Sequence, residues 1–363
     1  MDFKDISNLR LINQQVTATK FKTAKDIVGW LGAMQAQDFN MVKWAIGIRL
    51  PNSTEKMIEL AIDKGEIIRT HLLRPTWHFV SPEDINWMLE LTAPKILASM
   101  KSRDKVLGLT DAIYRKSNDV IVKALSGGHL TRETLIKALE KAKIGTGYNR
   151  ASHLFFRAEL AGIMCSGSMI GGKPTYALLT ERVPKTKTLK RDEALAQLAK
   201  RYFTSHGPAT LQDFSWWSGL SVADSKNALE MVKSNFVSET IDKQTYWVTN
   251  SFTIPNPNKD LVNLLPAFDE FIISYKDRTA SLPHENHIKA VSNNGIFRPV
   301  IVINGQVIGI WKRAIIKNNV VLETTYFQPI NKAMHKFVEE AFMAYAGFLN
   351  KKVMIPTSQP SFI

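Results

Sequence analysis

The chain has 363 residues, 45% of them hydrophobic and 22% charged, a balance typical of a folded protein with more than one hydrophobic core. The sequence has no apolar run long enough to cross a membrane, and its single cysteine, Cys165, excludes an internal disulfide framework and a cysteine-rich zinc site. Lysine and arginine number 47 against 33 acidic residues, and the resulting net charge of +14 favours a polyanionic partner such as nucleic acid.

The first predicted unit spans residues 1–116 and places helices before strand-forming sequence. Apolar spacing predicts helices near "NLRLINQQ", over "TAKDIVGWLGAMQAQ" and over "STEKMIELAIDKG". The alternating stretch "IIRTHLLRPTWHFV" then predicts a strand. This order is typical of a winged helix, although it is less regular than in the two units that follow.

The second unit, residues 117–183, is predicted to contain helices followed by a hairpin. Three helices are predicted first: "SNDVIVKAL", then "LTRETLIKALEKA" with Thr131 as its N-cap, and then "NRASHLFFRAELAG". The stretch "IMCSGSMIGGKPTYALL" follows and predicts a hairpin with a basic tip. The third unit, residues 184–252, repeats this order and ends in the strands "FVSETI" and "TYWVT" around "DKQ". The sequence therefore predicts three tandem winged-helix units.

The last unit, residues 253–363, is predicted to be rich in strands. The linker "VPKTKTLK" precedes the third unit, and the linker "IPNPNKD" separates it from the last one. Asn304-Gly305 lies between two alternating runs, which is a strong hairpin signal, and "NKAMHKFVEEAFMAYAGFL" predicts a final helix. The predicted fold class is α+β, with three winged helices, an antiparallel β-barrel-like C-terminal domain and a terminal helix.

Basic residues in the strands and wings are candidate DNA contacts. The alternating strand of the first unit carries four of them, Arg69, His71, Arg74 and His78. The alternative for this strand is a half-buried wing with solvated basic side chains. Lys173 lies at the predicted wing tip, where "GSMIGGKP" is not a P-loop because a proline replaces the serine or threonine that binds magnesium.

Four stretches, in this order, resemble the AlkZ/YcaQ-like winged-helix DNA glycosylases: "LGAMQAQD", "RPTWHFVSPEDINWML", "DFSWWSGL" and "LLPAFDEFIISYKDR". The resemblance covers nearly the whole chain and implies three winged helices, a C-terminal β-barrel and excision of alkylated purines, including those in interstrand crosslinks. The catalytic motif of the family, glutamine, an apolar residue, then glutamine or aspartate, falls here on Gln35, Ala36 and Gln37. The resemblance also implies a lesion-gripping β-hairpin, for which Asn304 and Gln306 are candidates.

Paired amides suit the chemistry that this resemblance implies. Alkylation at N7 or N3 makes the purine cationic and a good leaving group, so a strong acid is unnecessary. An amide oxygen can hold the attacking water and help to stabilise the oxocarbenium-like transition state. We expect Gln37 to bind the water and Gln35 to orient the water or the sugar, although the roles could be exchanged, and Asp38 directly after the motif leaves its own role open.

The expected partner is duplex DNA with alkylated purines, bound by a cytoplasmic monomer that needs no cofactor, metal or membrane. The start "MDFKDISNLRLINQQ" lacks a basic segment followed by an apolar stretch, so no secretory signal is predicted. A non-catalytic winged-helix regulator is one alternative, and a symmetric dimer would favour it because regulators usually read two half-sites. An interaction scaffold with incidental basic charge is the other, and absence of salt-sensitive DNA binding would favour it.

Overall fold

The first part of the chain combines five helices with a small sheet. The computed structural model describes residues 1–186, 188–250, 261–354 and 361–362. In chain order the elements of this part are α1 (Phe3–Asn13), α2 (Ala24–Leu31), β1 (Ala33–Gln35), α3 (Phe39–Gly47), α4 (Glu55–Asp63), β2 (Ile68–Leu72), β3 (Thr76–Val80) and α5 (Ile85–Val106). The three strands form one antiparallel sheet with β3 in the middle.

Two predictions for this part are wrong in detail. Helix α2 does not continue to Gln37 but ends at Leu31, because Gly32 adopts a φ of 82°, a left-handed conformation that ends a helix. The following residues form β1, which pairs with β3 so that Gln35 lies opposite His78. The predicted single strand is two strands, β2 and β3, because the chain turns at Leu73, where φ is 56°.

The second part has the predicted order of helices and a hairpin. Its elements are α6 (Asp111–Leu125), β4 (Leu130–Thr131), α7 (Arg132–Lys141), α8 (Arg150–Leu160), β5 (Met164–Ser166), β6 (Thr175–Leu178) and α9 (Leu179–Arg182). Thr131 caps α7 as predicted, since its side chain accepts a hydrogen bond from the backbone N–H of Thr134. Helix α6 runs without a break across the predicted boundary between residues 116 and 117, so a domain division there would cut a helix.

The third part repeats three helices and a hairpin. Its elements are α10 (Arg191–His206), α11 (Leu211–Ser218), α12 (Val222–Val232), β7 (Phe236–Ile241) and β8 (Gln244–Thr249). Tyr202 and Trp217 are fully buried between these helices, with ring centroids 5.0 Å apart. The assignment of three winged helices and the remaining domain boundaries stay predictions. Lys187 of the first predicted linker and the whole second linker, residues 254–260, lie outside the described residues.

The C-terminal part is built on a mixed sheet. Its elements are β9 (Val262–Leu265), α13 (Glu270–Ile273), α14 (His287–Ala290), β10 (Val300–Ile303), β11 (Gln306–Ile316), β12 (Asn319–Tyr326), α15 (Lys332–Phe348), β13 (Lys352–Met354) and β14 (Ser361–Phe362). The strand order is β13-β12-β11-β10-β9, and β14 also pairs with β12. The predicted hairpin at Asn304-Gly305 and the final helix are confirmed.

The predicted antiparallel, barrel-like sheet is correct only in part. Strands β9 to β12 are antiparallel, but β13 and β14 both run parallel to β12. Helix α15 is the reason for the parallel pairing of β13, because it carries the chain back to the start of β12 before β13 begins. Among the described strands, β9 and β13 are the two ends of the order, so the sheet does not close there.

The first part and the C-terminal sheet share a hydrophobic core, and this fixes their relative position. Trp44 of α3 packs against Tyr345 of α15 with ring centroids 5.1 Å apart, and Trp311 of β11 contacts the same tyrosine at 5.1 Å. The indole of Trp44 also donates a hydrogen bond of 2.7 Å to the carbonyl of Leu264.

Among the described residues, no helix combines the length and the apolar composition that a membrane span requires.

Candidate active site

The two glutamines of the motif have different environments. Gln35 is the last residue of β1 and is buried, whereas Gln37 is exposed in the turn before α3. The backbone N–H of Ala36 donates to the carbonyl of Trp77 at 2.7 Å, which holds the motif against β3. Asp38 is the N-cap of α3 and accepts hydrogen bonds from the backbone N–H groups of residues 40 and 41. Its carboxylate therefore has a structural role in helix capping.

Gln35 is held at both its side chain and its backbone. The guanidinium of Arg74 donates to the side-chain oxygen of Gln35 at 2.8 Å. Because arginine only donates, the atom that faces it must be the amide oxygen, and the amide N–H₂ points elsewhere. The backbone N–H of Gln35 donates to Oε1 of Glu270 at 2.6 Å. Gln37, in contrast, makes no side-chain hydrogen bond with the described part of the chain.

Glu270 is a buried carboxylate directly behind the motif. Besides Gln35, it accepts hydrogen bonds from the indole of Trp217 at 3.2 Å and from the hydroxyl of Ser274. Nε2 of His206 lies 3.7 Å from its Oε2. Burial acts to raise the pKa of Glu270, but the interactions with His206, Ser274 and Gln35 outweigh it and lower the pKa to about 2. The group therefore stays ionised at neutral pH and cannot donate a proton.

A buried ion pair fixes the segment that carries Glu270. Asp269 caps α13 by accepting from the backbone N–H of Phe271, and both of its oxygens accept from Arg49, two residues after the end of α3, at 2.7 and 2.8 Å. Arg49 donates further to the carbonyls of Gln14 and Ala45. Because the pair is bidentate and completely buried, it holds α13 in one position relative to the motif.

Arg74 and His78 lie beside Gln35, and neither is a simple surface contact for phosphate. His78 is fully buried, and burial, followed by the charge of Arg74, lowers its pKa to about 3, so it is neutral at physiological pH. The predicted contact of His78 with DNA stays a prediction, and in this structure the side chain is enclosed in the core. Burial also lowers the pKa of Arg74, whose guanidinium is used to hold Gln35.

Arg69 and His71 support the motif from the other side. Arg69 donates two hydrogen bonds to the carbonyl of Ala36, at 3.0 and 2.9 Å, and its guanidinium lies 4.1 Å from the ring centroid of Trp77. Nδ1 of His71 lies 2.7 Å from Oε2 of Glu159. Both side chains thus have partners within the protein. Their predicted contacts with DNA remain untested.

The predicted gripping hairpin is not free. Asn304 accepts a hydrogen bond from the backbone of Leu261 at 2.9 Å, and Gln306 donates to the carbonyl of Ala280 at 2.8 Å and to Ser7 at 3.2 Å. Gly305 packs so closely on α1 that an added Cβ would lie 2.5 Å from Ser7. This turn therefore belongs to an internal interface. The hairpin of β11 and β12 has exposed apolar residues near its tip instead, Ile315 and Ile316.

A cationic cluster around Trp216 was not predicted. Its ring lies 5.1 Å from the ammonium of Lys276 and 5.6 and 5.5 Å from the guanidinium carbons of Arg74 and Arg278. The indole N–H donates to the carbonyl of Ile273 at 2.8 Å, which fixes the ring next to the Glu270 segment. The signal for this cluster was present in the two stretches "DFSWWSGL" and "LLPAFDEFIISYKDR", which supply three of the four side chains.

Lys173, the remaining predicted contact, is exposed in the turn between β5 and β6, as expected for a wing tip. Within the described ranges, no three His, Cys, Asp or Glu side chains come close enough together to hold a metal ion.

Comparisons with known proteins identify the class. The sequence model of the family described as "DNA glycosylase AlkZ-like" matches residues 28–348. A curated relative, "Interstrand DNA cross-link repair glycosylase" of Streptomyces sahachiroi, is 25% identical over 313 residues, which cover 80% of this chain and 82% of that protein. The solved structure of "Streptomyces sahachiroi DNA glycosylase AlkZ" superposes with a TM-score of 0.80 at 20% identity, covering 98% of this chain and 100% of that one.

These matches are to DNA glycosylases, so the chain has the fold and sequence of an enzyme that cleaves base–sugar bonds in DNA. The family match covers most of the chain, and the protein belongs to the AlkZ-like DNA glycosylase family. The two non-enzymatic alternatives, a regulator and a scaffold, are accordingly not favoured.

Proposed function

We propose that this protein is a monofunctional glycosylase that excises cationic N-alkylated purines, such as N7-alkylguanine and N3-alkyladenine, from duplex DNA. The observation that carries the proposal is that the two carboxylates beside the motif both serve as hydrogen-bond acceptors within the protein. Asp38 caps α3, and Glu270 accepts from Gln35, Trp217 and Ser274, with its pKa lowered to about 2. Such a site suits a base that already carries positive charge.

The reaction is a hydrolysis at C1′ of the deoxyribose. The bond between C1′ and the purine nitrogen breaks, its electron pair neutralises the cationic purine, and the oxygen of a water forms the new bond to C1′. The water then loses one proton to solvent, and an abasic site remains. Charge develops on the sugar in the transition state, so acceptor oxygens that are fixed near C1′ lower the barrier.

The different environments of the two glutamines support different roles for them. The oxygen of Gln35 is bound by Arg74, and its backbone is bound by Glu270, so Gln35 supplies a fixed amide N–H₂ and a rigid strand end. The oxygen of Gln37 has no partner within the described chain and is exposed, so it is available to accept a hydrogen bond from the attacking water. In this mechanism Gln37 holds the water and Gln35 orients the sugar.

DNA is proposed to bind as a duplex to a monomer through exposed cations near the motif. Lys276 and Arg278 beside Trp216 supply positive charge next to Arg74, and Lys173 is a separate exposed cation at the tip of the β5–β6 hairpin. The exposed tip of the β11–β12 hairpin, rather than the buried turn at Asn304, is the better candidate for gripping the lesion. The curated relative is named as an interstrand crosslink repair glycosylase, and by analogy crosslinked purines are included among the proposed substrates.

The proposal is tested by incubating the protein with duplex DNA that contains N7-methylguanine. Chromatography should detect free N7-methylguanine, with an abasic site and an uncut strand left behind, because water rather than a lysine amine attacks the sugar. Release of no base above the rate without protein would contradict the proposed substrate class. Release of unmodified guanine at a similar rate would contradict the mechanism.

Binding to undamaged duplex DNA should be sensitive to salt and largely independent of sequence. The net charge of +14 and the exposed cations near the motif are the reasons. If 6 to 10 phosphates are contacted, affinity should fall by about 10³ to 10⁵ between roughly 50 and 200 mM salt, because counterions are released on binding. Fluorescence anisotropy over a salt series measures this slope, and a flat profile would count against the proposed DNA interface.

A further inference from the structure

The three cations around Trp216 have no salt-bridge partner in the described chain. The ammonium of Lys276 lies 5.1 Å from the ring centroid, and the guanidinium carbons of Arg278 and Arg74 lie 5.5 and 5.6 Å from it. The salt bridges of the described residues involve none of the three. Like charges gathered at one ring repel one another, so an anion bound among them is stabilising.

The carboxylates close to this cluster are already bound to other donors. Asp213 accepts the backbone N–H of Lys276 at 2.8 Å with one oxygen and that of Thr210 at 3.0 Å with the other. Asp277 accepts from the side-chain amide of Gln244 at 2.8 Å. These carboxylates therefore serve as hydrogen-bond acceptors elsewhere and do not pair with the three cations.

The cluster also keeps hydrogen-bond donors for an anion. Lys276 is exposed, and its ammonium makes no hydrogen bond within the described chain. The guanidinium of Arg278 is fixed, because it donates to the carbonyls of Ile272 at 2.9 Å and Lys276 at 3.3 Å. Burial lowers the pKa of Arg278 to about 10, so the group is still charged at neutral pH. A fixed guanidinium beside a mobile ammonium suits the oxygens of a phosphate.

Arg74 connects the cluster to the glutamine motif. Its guanidinium donates to the side-chain oxygen of Gln35 at 2.8 Å, while its Nε has no partner among the described residues. The turn that carries Arg74 packs against Gly219, where an added Cβ would clash with the carbonyl oxygen of Leu73. The same stretch, "DFSWWSGL", thus positions both Trp216 and the turn. A negative charge at the cluster acts on the Gln35 amide through this one side chain.

We propose that the cluster binds one backbone phosphate next to the damaged nucleotide, and that this phosphate, through Arg74, holds the amide of Gln35 in its working orientation. The inference rests on the proposed function and deepens it, because Lys276 and Arg278 become contacts to one particular phosphate and not a general source of attraction. Arg74 is then a positioning residue for Gln35. Since every nucleotide carries the same phosphate, this contact is independent of the group attached to the purine.

The test uses duplexes with one N7-methylguanine in which single phosphates around the lesion are replaced, one at a time, by neutral methylphosphonates. Single-turnover release is measured at saturating protein concentration. At one position beside the lesion, the neutral group should lower the wild-type rate about tenfold, as for loss of a hydrogen bond to a charged group. Other positions should weaken binding but leave the saturated rate nearly unchanged.

Lys276→Gln identifies the partner of that phosphate. On unmodified backbone it should lower the rate about tenfold, and the neutral group at the same position should then cost only about threefold or less, because the contact is already lost. Lys276→Arg keeps the charge and should retain most of the activity. Lys226→Gln, which removes a lysine charge from an exposed position of α12, should keep the wild-type rate and its tenfold sensitivity.

The outcomes separate the inference from the proposed function. Wild-type protein that releases no N7-methylguanine from unmodified backbone overturns both. If base is released but no single neutral phosphate slows the saturated rate by more than about twofold, only the inference is overturned. The same holds if wild type and Lys276→Gln lose equal factors at every position, because the lysine and the phosphate then act independently. A neutral phosphate that weakens affinity alone also overturns it, since Gln35 would not depend on that contact.

Discussion

Gln37→Ala should lower the release of N7-methylguanine by tenfold or more while the fold and the affinity for DNA stay nearly unchanged. Gln37 is exposed and has no hydrogen bond within the described chain, so its removal leaves no buried group without a partner. Its proposed contact with the attacking water matters mainly in the transition state, which affects the chemical step and not binding. Single-turnover kinetics with excess protein measures the chemical step directly.

The matched control is Gln212→Ala, an exposed glutamine on α11. An exposed glutamine without a catalytic role should change stability by less than about 0.5 kcal/mol and excision not at all. If Gln37→Ala shows the wild-type rate and an unchanged melting temperature, Gln37 has no part in catalysis.

Gln35 is a less clear probe because it is buried. Gln35→Ala removes the acceptor for Arg74, whose guanidinium then keeps a buried donor without a partner, at a cost of about 1–3 kcal/mol. Its loss of activity therefore combines a structural and a chemical effect. If both glutamines act on one water and sugar, the double variant should lose less activity than the product of the two single losses.

Local patterns predicted most elements correctly, because helix periodicity, caps and turn residues are properties of short stretches. The N-cap at Thr131 and the hairpin at Asn304-Gly305 are examples. The end of α2 was missed because apolar spacing continues past Gly32, whereas the positive φ of this glycine stops the helix. The motif therefore lies on a strand end and a turn, not on a helix.

The burial of individual side chains and their contacts with distant residues could not be predicted from the sequence. The hairpin at Asn304 was recognised, but its packing on α1 depends on residues almost 300 positions away, such as Ser7. The alternating pattern of the strand suggests an exposed position for His78, yet its side chain is completely buried. Glu270 bonds to Gln35 across 235 residues, so only the folded chain identifies it as part of the site. An acidic pair inside the apolar run "LLPAFDEFII" was the one available hint.

Glu270→Gln should destabilise the protein by about 1–3 kcal/mol and lower excision by tenfold or more. Three donors converge on its two oxygens: the backbone N–H of Gln35, the indole N–H of Trp217 and the hydroxyl of Ser274. A glutamine has only one acceptor oxygen, and its N–H₂ group must then face one of these donors in the buried site. One donor loses its partner, which is the source of the expected cost. Displacement of the Gln35 backbone is the expected source of the lost activity.

Glu90→Gln, an exposed carboxyl-to-amide change on α5, is the matched control and should leave both stability and excision unchanged. Thermal denaturation and single-turnover excision are measured on the same preparations. Wild-type excision by a Glu270→Gln protein would show that this carboxylate does not position the motif.

The pH dependence of the stability difference between wild type and Glu270→Gln separates the electrostatic contribution of Glu270 from that of shape and packing. The pKa of Glu270 is about 2 in the folded protein and 4.5 as the ordinary value, so the folded state binds its proton more weakly than the unfolded state. The stabilising contribution of the charged form is therefore complete above about pH 5 and is lost as the pH falls toward 2. The difference in unfolding free energy between wild type and Glu270→Gln should be largest near neutral pH and shrink over this acidic range. A difference that stays constant from pH 7 to pH 3 would mean that shape and packing, not the ionised carboxylate, account for the role of Glu270.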